Sequence, residues 1–519
     1  MATRPPVVAE LSMAYSHAEQ TGGPERRAHM PSSAERARRL AGSLSWPLAV
    51  TALLYLLLLA LGTRLLNDAD SYWQVALGHW IMAHGAVPHV DTFSFTMAGK
   101  PWISSEWLAQ ALYAEAYDLL GWTGVVVLAA AAIAAAFGLL TRFLLERLAP
   151  KPALVLVGAA FVLASSHMLA RPHVLAMPVM VVWVAGLVRA LDERRLPSFV
   201  LLPLMTLWAN LHGGFTFGIA LLAPVGLEAL LRAAPAERLT VALRWGLFGV
   251  LALAAACITP YGPQSILVTA RVLGLGPALA LIGEWQPQDF ATVGGFMLCL
   301  LAGIGFALHR GITLPPIRLL VLLGLLYMAL SHDRNAELLG MLGPLFIAAP
   351  LARQFGGRED TKPAAAGGGR RIAPFALVAG LAVATVGAAY AAHYRPRAAI
   401  TPARAVAAIG AAGKTRILNS YDFGGYLIAA GLKPFIDGRT ELYGKDFMLR
   451  NNRAVTLEDV SGFLRLLKKY KIDATLLATG VPANGLLAHL SGWKRLYADG
   501  VAVVYVRDGA PAAMKGVRP

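Results

Sequence analysis

The sequence predicts a polytopic α-helical membrane protein with about eleven transmembrane helices, followed by a C-terminal extracytoplasmic α/β domain. Hydrophobic residues make up 57% of the 519 residues, and the mean hydropathy is +0.57. Apolar blocks recur between short polar loops, and a block of ~20 apolar residues crosses a hydrocarbon layer of ~30 Å. Lys and Arg are concentrated in alternate loops, so the net charge of +16 reflects membrane orientation and does not indicate a nucleic-acid partner.

Residues 1–45 are rich in Arg, Ala and Pro and are too polar for a signal peptide. We therefore predict a disordered, basic cytoplasmic tail, with the first span acting as an uncleaved anchor. The two cysteines, Cys257 and Cys299, both lie inside predicted spans. Their placement argues against a disulfide framework and against a cysteine-ligated metal.

The transmembrane region is predicted to cover residues 46–392, with a cytoplasmic linker at 353–372 before the last span. The Lys and Arg bias puts the N-terminus in the cytoplasm, and an odd number of spans then puts the C-terminus outside. The segment 197–210 is short and contains Pro203, but omitting it would invert the charge bias of every later loop. The predicted spans are 46–66, 122–140, 153–169, 173–191, 197–210, 214–231, 242–258, 291–309, 314–331, 336–352 and 373–392.

The loop 67–121 is predicted to lie on the outer membrane surface. Residues 71–83 and 105–119 are too short to span and rich in Trp and Tyr, which is typical of helices lying in the interface plane. Gly and Pro residues between them break the chain around a predicted strand at 92–97. The acidic residues of interest in this loop are Asp68, Asp70, Asp91 and Glu106.

Asp68 and Asp70 stand two positions apart, directly after the first span. Carboxylate oxygens at this spacing could share a divalent cation such as Mg²⁺ or Mn²⁺. Alternatively, one carboxylate acts as a general base while the other holds a partner group. A third interpretation is a polar helix end that is solvated by water and lipid headgroups.

Every later outer loop also offers a polar or ionisable side chain near the end of a span. Such groups are costly at a membrane and are therefore functional candidates, although each alone could be a snorkelling residue or an interfacial cap. Arginine forks bind phosphate oxygens in a bidentate manner. Acids and arginines at this depth predict a cavity that suits a lipid-linked phosphate donor and a hydroxyl acceptor. The candidates are Arg171, His173, Asn210, His212, Glu284, His332 and Arg334.

Several familiar catalytic motifs are missing from the sequence. It contains no Walker loop, no Gly-x-Ser-x-Gly elbow and no His-Glu-x-x-His motif, so phosphate-loop, serine-hydrolase and zincin chemistries are not supported. His212 and His332 each lack a second His three or four positions on, which weakens a histidine-based zinc site.

Residues 400–519 alternate helix-like and β-like stretches and are long enough to bury a core of their own. The β-like stretches are 416–418, 434–436, 474–477 and 501–506. Asp437, Arg439 and Tyr443 follow the second of these. An Asp-Arg pair within one strand-end turn and a ligand-facing role are both open for these three residues. The Gly424-Gly425 pair marks a close backbone approach.

Several motifs, taken together, resemble a known superfamily. They are Asp68-Ala69-Asp70-Ser71-Tyr72-Trp73, Val90-Asp91-Thr92-Phe93-Ser94-Phe95-Thr96, Arg171-Pro172-His173, Trp208-Ala209-Asn210-Leu211-His212-Gly213, Glu284-Trp285-Gln286-Pro287 and Asp437-Gly438-Arg439-Thr440-Glu441-Leu442-Tyr443. An acidic motif directly after the first span resembles the GT-C glycosyltransferases, such as protein O-mannosyltransferases and lipid A aminoarabinose transferases. The full set resembles a group of large bacterial membrane proteins, and the likeness covers nearly the whole chain.

The resemblance implies a glycosyltransferase of the bacterial inner membrane that uses a polyprenyl-linked sugar donor and a lipid, glycan or protein acceptor. It implies that Asp70 is the catalytic base and Asp68 its partner. Arg171 and Arg334 would hold the leaving phosphate, while Glu106, His212 and Glu284 would position sugar hydroxyls. A non-catalytic lipid or polysaccharide carrier, a polymerase or ligase that relies on outer Arg and His residues, and a membrane scaffold are the alternatives.

Overall fold

A computed structural model describes residues 45–356 and 372–508 of the chain. The predicted tail at 1–45, apart from its last residue, lies outside the described residues, as does most of the predicted linker at 353–372. The end of the predicted domain at 400–519 is also outside them. The described part is largely helical, with one small sheet near its C-terminus.

Within those two ranges, six helices are long and apolar enough to cross a membrane. They are Trp122–Leu145, Pro150–His167, Pro172–Asp192, Phe215–Arg232, Pro235–Ala256 and Asp333–Phe355. The other predicted spans fall on apolar helices of 10–17 residues, namely Trp46–Ala60, Leu201–Leu211, Gly295–Arg310, Pro316–Ser331 and Leu377–Ala391. A helical fold of membrane-protein type is therefore confirmed, whereas the number of eleven spans remains a prediction.

Three helices form the centre of the bundle. In Trp122–Leu145, Pro172–Asp192 and Asp333–Phe355, 67%, 78% and 67% of the most apolar stretch is buried. Small residues let neighbouring backbones approach closely. At Gly124, for example, a β-carbon would lie 1.8 Å from the carbonyl oxygen of Ala116, so a larger residue would not fit. Close packing of this kind holds helices together where lipid removes most of the hydrophobic driving force.

A buried ion cluster ties four helices together at one end of the bundle. Arg318 has an exposed fraction of 0% and donates to Glu228 Oε1 at 3.0 Å and to the carbonyl oxygen of Phe346 at 3.1 Å. It also pairs with Asp192. Because a buried charge without a partner is strongly destabilising, these partners hold the helices in one arrangement.

The loop 67–121 folds into two packed helices, Asp70–His84 and Trp107–Leu120. The strand predicted at 92–97 is wrong. The Asp91 carboxylate instead accepts hydrogen bonds from the backbone N–H groups of Phe93 at 3.0 Å and Ser94 at 3.1 Å, which closes a turn. A side chain that binds its own backbone in this way competes with strand pairing.

The C-terminal region contains a four-stranded sheet in the order β1-β2-β4-β3. The strands are β1 (Ile417–Asn419), β2 (Ala474–Ala478), β3 (Trp493–Ala498) and β4 (Ala502–Arg507). β1 and β2 are parallel, whereas β2–β4 and β4–β3 are antiparallel. The helices of this region are Ala403–Ala411, Gly424–Ala429, Thr440–Tyr443, Lys445–Val455, Val460–Lys469 and Ala483–His489.

The β-like stretch 434–436 does not join this sheet. The Asn419 side chain accepts from the backbone N–H of Phe435 at 2.7 Å and donates to the carbonyl oxygen of Ile436 at 2.7 Å. The Asn419 side chain therefore makes the hydrogen bonds that a neighbouring strand would otherwise make, and it fixes the backbone just before Asp437.

Short helical turns connect the longer elements. Three of them, Ser165–His167, Gly283–Trp285 and Asp333–Asn335, pack against one another. Four of the apolar segments named above are divided or extended as Phe215–Ala220 and Leu222–Arg232, Pro235–Glu237 and Arg238–Ala256, Asp333–Asn335 and Ala336–Phe355, and Ile372–Ala391. The other short helices and 3₁₀ turns are Gly62–Leu65, Gln264–Leu273, Gly276–Leu281, Ala398–Ile400 and Tyr421–Phe423.

Candidate functional site

Arg171 is the centre of a cluster of three carboxylates from two other segments of the chain. Its Nε lies 2.6 Å from Asp68 Oδ2, and its Nη2 donates to Asp70 Oδ2 at 2.9 Å. Its Nη1 pairs with Glu284. The structure therefore brings together four predicted site residues that are up to 216 positions apart in the chain (284 minus 68).

Local backbone geometry positions the two aspartates. Asp70 opens the helix Asp70–His84, and its backbone N–H donates to Asp68 Oδ1 at 2.7 Å. The remaining oxygen of Asp70, Oδ1, accepts from Trp73 Nε1 at 2.9 Å. The helix N-terminus also favours negative charge at these positions. Each carboxylate oxygen of the pair therefore has a donor or cation of its own.

Burial and charge set the protonation of the cluster. Burial raises the pKa of Asp70 to about 7, with Arg171 opposing the shift and Asp68 adding to it. Burial alone would lower the pKa of Arg171, but the surrounding carboxylates raise it well above its usual value. The Asp70 side chain keeps an exposed fraction of 18%. A reachable carboxyl that titrates near neutral pH is suited to taking a proton from a substrate.

Glu284 joins Arg171 to a second arginine. Its Oε1 accepts from Arg334 Nη1 at 2.8 Å, and the Arg334 guanidinium lies 4.7 Å from the centre of the Trp285 ring. Burial alone would raise the pKa of Glu284, but Arg171, His167 and Arg334 together hold it well below its usual range. His332 is placed in the same region by its contact with the carbonyl oxygen of Trp285 at 2.8 Å.

A second acid lies beside the cluster. Glu106 Oε2 accepts from Gln74 Nε2 at 3.2 Å, and its Oε1 lies 3.5 Å from His212 Nε2. Burial raises the pKa of Glu106 to about 7, and burial lowers that of His212 to about 3, with nearby Arg334 adding to the second shift. Asn210 accepts from Trp107 Nε1 at 2.7 Å, so it supports this wall through the neighbouring helix.

Among the described residues, one group has the spacing of metal ligands. It was not predicted from the sequence as a metal site. His167, His173 and Glu337 offer ligand atoms that all lie within 4.8 Å of one another, and all three side chains are buried. Two imidazoles and one carboxylate are a ligand set that suits zinc. Glu337 Oε2 lies 3.1 Å from His167 Nδ1 and 3.4 Å from His173 Nε2.

The pair Asp68 and Asp70, predicted as Mg²⁺ or Mn²⁺ ligands, is arranged differently. The Arg171 guanidinium lies between the two carboxylates and contacts both. Hard divalent cations need several oxygens turned toward one point. In this arrangement the guanidinium takes that place, so the residues present do not fit a shared cation.

The C-terminal region contacts the candidate site directly. A β-carbon on Gly438 would lie 1.9 Å from Asp70 Oδ1, and one on Gly425 would lie 2.3 Å from the carbonyl oxygen of Ala69. Only glycine leaves room for such an approach. The Gly424-Gly425 pair in the sequence indicated a close approach, but it gave no information about the partner.

Two further contacts bind the C-terminal region to the loop. Trp102 Nε1 donates to Glu441 Oε1 at 2.7 Å, and the hydroxyls of Tyr72 and Thr401 lie 2.8 Å apart. Burial raises the pKa of Tyr421 well above its usual value, and the charge of Asp70 adds to the shift. Glu441, Thr401 and Tyr421 were not among the site residues predicted from the sequence.

Asp437, Arg439 and Tyr443 form a buried structural cluster with Asp91. Arg439 Nη1 lies 2.6 Å from Asp91 Oδ1, and its Nη2 donates to Asp437 Oδ2 at 2.7 Å. Tyr443 donates to the same Asp437 oxygen at 2.7 Å. Of the two interpretations left open by the sequence, the contacts show Asp-Arg pairing. The Asp91 carboxylate, predicted to bind substrate, instead contacts Arg439 and the backbone N–H groups of its own turn.

Comparisons with known proteins show what this fold is similar to. No protein-family model and no curated protein sequence matches the chain. Among solved structures, the chain is similar to the archaeal oligosaccharyltransferase AglB from Archaeoglobus fulgidus in complex with an inhibitory peptide and a dolichol-phosphate. The match has a TM-score of 0.51 and 12% identity, and it covers 86% of this chain and 70% of AglB. The apo form of the Archaeoglobus fulgidus oligosaccharyltransferase gives a TM-score of 0.47, also at 12% identity, over 86% of this chain and 70% of that one. The chain therefore has a membrane-protein fold similar to that of AglB over most of its length.

Proposed function

We propose that the protein is a GT-C type glycosyltransferase that moves a sugar from a polyprenyl-phosphate-linked donor to an acceptor hydroxyl. The observation that carries this proposal is the cluster of Asp70, Asp68 and Arg171, in which a carboxyl with a pKa of about 7 lies beside a permanent cation. A general base and a phosphate-binding cation side by side are what transfer from a sugar phosphate requires. The fold similar to that of AglB supports the same class.

The proposed reaction is a single displacement with inversion at the sugar. Asp70 takes the proton of the acceptor hydroxyl while the hydroxyl oxygen forms a bond to the anomeric carbon. The bond between that carbon and the phosphate oxygen breaks at the same time, and the electron pair leaves with the phosphate. Asp68 holds Arg171 in position, and Arg171 binds the phosphate as its charge grows.

The remaining residues of the site would position the sugar. Arg334 contacts Glu284 Oε1 at 2.8 Å and Arg171 contacts the other oxygen of the same carboxylate, and we propose that both arginines bind the donor phosphate. Glu106, His173, Asn210 and His212 would bind sugar hydroxyls on the adjacent wall. The AglB structure contains a dolichol-phosphate and a peptide, which supports a lipid-linked donor and leaves a lipid, glycan or protein as the acceptor. We place the site and the C-terminal region on the periplasmic side of a bacterial inner membrane, with the N-terminus in the cytoplasm.

The proposal is tested by transfer of radiolabelled sugar from native polyprenyl-linked donors with the purified protein in lipid. We expect a labelled product whose formation depends on both donor and acceptor. If none of the donors gives turnover in folded protein, the transferase proposal fails and the carrier and scaffold alternatives remain.

The rate of transfer is expected to rise with pH through about 7, because Asp70 must lose its proton before it can act as a base. The quantity to measure is kcat/KM between pH 5.5 and 8.5. Glu106 has a similar pKa of about 7 and is the matched control. The rise should persist in Glu106→Gln, and its disappearance there would make Glu106 the base.

Removal of divalent cations is expected to leave transfer within about twofold of its starting rate, because the Arg171 guanidinium already contacts both Asp68 and Asp70 in the place that a shared cation would take. The measurement compares the rate before and after dialysis against EDTA. A loss of more than about tenfold that Mg²⁺ or Mn²⁺ restores would contradict this expectation. If zinc alone restores the rate, and Glu337→Gln shows the same loss, the metal belongs to the His167, His173 and Glu337 group.

A polymerase or ligase that relies on arginine and histidine is the second candidate. Its supporting observation is that Arg171, Arg334 and His167 all contact Glu284. It predicts that Arg334→Gln reduces transfer more than Asp70→Asn does. The two variants, measured with the same donor, separate the candidates.

A further inference from the structure

A cavity lies in the C-terminal region, between the helices Lys445–Val455 and Val460–Lys469. Its volume is about 650 Å³, within the range of ~300–1,000 Å³ that is typical of small-ligand sites. Phe435 contributes to its wall and precedes Gly438, the residue that packs against Asp70, by three positions (438 minus 435). We refer to this cavity as the basic pocket.

The charge of the basic pocket is strongly positive. Arg450, Arg465, Lys468 and Lys469 line it, against the single carboxylate of Asp459. Arg465 is paired with Asp459 at 3.3 Å, while the other three cations make no ion pair within residues 45–356 and 372–508. Basic residues in the last turn of a helix also interact with its dipole, which accounts for Lys468 and Lys469 but not for Arg450 in the facing helix.

One amide and several aromatic rings also line the pocket. Asn451 has an exposed fraction of 8%, and its Oδ1 has no hydrogen-bond partner in the described part of the chain. A buried acceptor without a donor is costly, so a ligand that supplies an O–H or N–H group to this amide would be stabilised. Phe447 and Tyr470 line the same pocket, with the Lys469 amine 5.2 Å from the centre of the Tyr470 ring.

We propose that the basic pocket binds an anionic saccharide. A sugar acid carries the negative charge that the three unpaired cations would bind. Its hydroxyls supply the donor that Asn451 Oδ1 lacks, and its C–H face packs on aromatic rings. Free phosphate at neutral pH matches the charge but offers neither the apolar face nor a row of hydroxyl donors. This inference goes beyond the proposed function, since binding here needs no reaction at Asp70.

The test uses the full chain in lipid nanodiscs and measures binding of tetragalacturonate and of the neutral tetrasaccharide maltotetraose by calorimetry. We expect tetragalacturonate to bind about tenfold or more tightly than maltotetraose, and to weaken as NaCl is raised. Arg450→Gln with Lys468→Gln should weaken tetragalacturonate binding by about tenfold, and Asn451→Leu by about five- to thirtyfold. Lys494→Gln, which removes an exposed lysine of β3 paired with Asp508 at 3.2 Å, is the matched control and should change nothing.

Each other outcome overturns the proposal. Equal binding of the two tetrasaccharides would rule out recognition of charge, and unchanged binding in all pocket variants would place the site elsewhere. Binding of inorganic phosphate or of phosphatidylglycerol vesicles without binding of tetragalacturonate would make the pocket a phosphate or lipid site. The same titration with Asp70→Asn is expected to match the wild type, so a failure of the transferase proposal leaves this result unaffected.

Discussion

Replacing Asp70 with Asn is expected to reduce sugar transfer by roughly 10²–10⁴-fold, which is the usual contribution of a general base. Asn has nearly the same shape, but its single side-chain oxygen can accept from only one of the two donors that Asp70 meets at 2.9 Å, Trp73 Nε1 or Arg171 Nη2, while its NH2 group faces the other. It cannot take a proton from an acceptor hydroxyl. The measurement is the single-turnover rate of transfer from a radiolabelled donor, at saturating acceptor and pH 8.

The same variant has a predictable effect on stability. Folding raises the pKa of Asp70 from 3.8 to about 7, so the protonated form is favoured in the folded protein. The resulting stability is fully present below pH 3.8 and is lost as the pH rises through about 7. The side chain of Asp70→Asn stays neutral, so this variant does not lose that contribution to stability as the pH rises. Its melting temperature should therefore exceed that of the wild type at pH 8 by more than it does at pH 5.

Asp118→Asn is the matched control, because Asp118 belongs to the same loop but has a half-exposed side chain that pairs with His79 at 2.8 Å. It should leave both transfer and the melting temperature close to those of the wild type. If Asp70→Asn retained more than about a tenth of the activity, Asp70 would not be the base. If it melted lower than the wild type at pH 8, the loss of activity would have to be attributed to structural damage.

The sequence was sufficient to find most members of the site. Asp68, Arg171, Glu284 and Arg334 come from four different loops, yet each was a candidate because ionisable groups are rare and costly at the ends of membrane spans. Their mutual contacts were not predictable in detail. The sequence left a metal ion and a base both open for the aspartate pair, and only the position of Arg171 between the two carboxylates separates them.

Contacts between distant parts of the chain were beyond the sequence. Gly438 lies against Asp70, and Arg439 pairs with Asp91, although 348 positions separate the latter two residues. Hydrophobic periodicity reports on which face of an element is buried and not on what covers that face. The C-terminal region was therefore predicted as a separate domain, and its place in the wall of the candidate site emerges only from the three-dimensional contacts.

Strand β3 is another feature that was not predicted from the sequence. The segment Trp493–Ala498 was not predicted as a strand, whereas β4 was, because the residues of β4 are largely apolar. β3 is an edge strand with mostly exposed side chains, and its pairing with β4 shifts register between Arg495 and Tyr497. A bulge interrupts the two-residue alternation on which strand prediction depends.

Arg439→Gln is expected to lower the free energy of unfolding by about 3–5 kcal/mol, which is the usual cost of removing one partner of a buried ion pair. Arg439 has an exposed fraction of 1% and binds Asp91 at 2.6 Å and Asp437 at 2.7 Å. Its removal leaves two buried carboxylates without a cation. The measurement is the midpoint of denaturant unfolding, followed by the protection of the C-terminal region from protease.

A surface pair and a double variant separate this effect from a general effect of lost charge. Lys494→Gln breaks an exposed pair with Asp508 and should cost less than about 1 kcal/mol. Adding Asp91→Asn to Arg439→Gln removes one of the two orphaned charges, so the double variant should be more stable than Arg439→Gln alone. Equal midpoints for Arg439→Gln and Lys494→Gln would show that the buried cluster does not hold the C-terminal region against the loop that carries Asp70. If the cluster does hold it there, Arg439→Gln should also lower transfer, because Gly438 next to it packs directly on the Asp70 carboxylate.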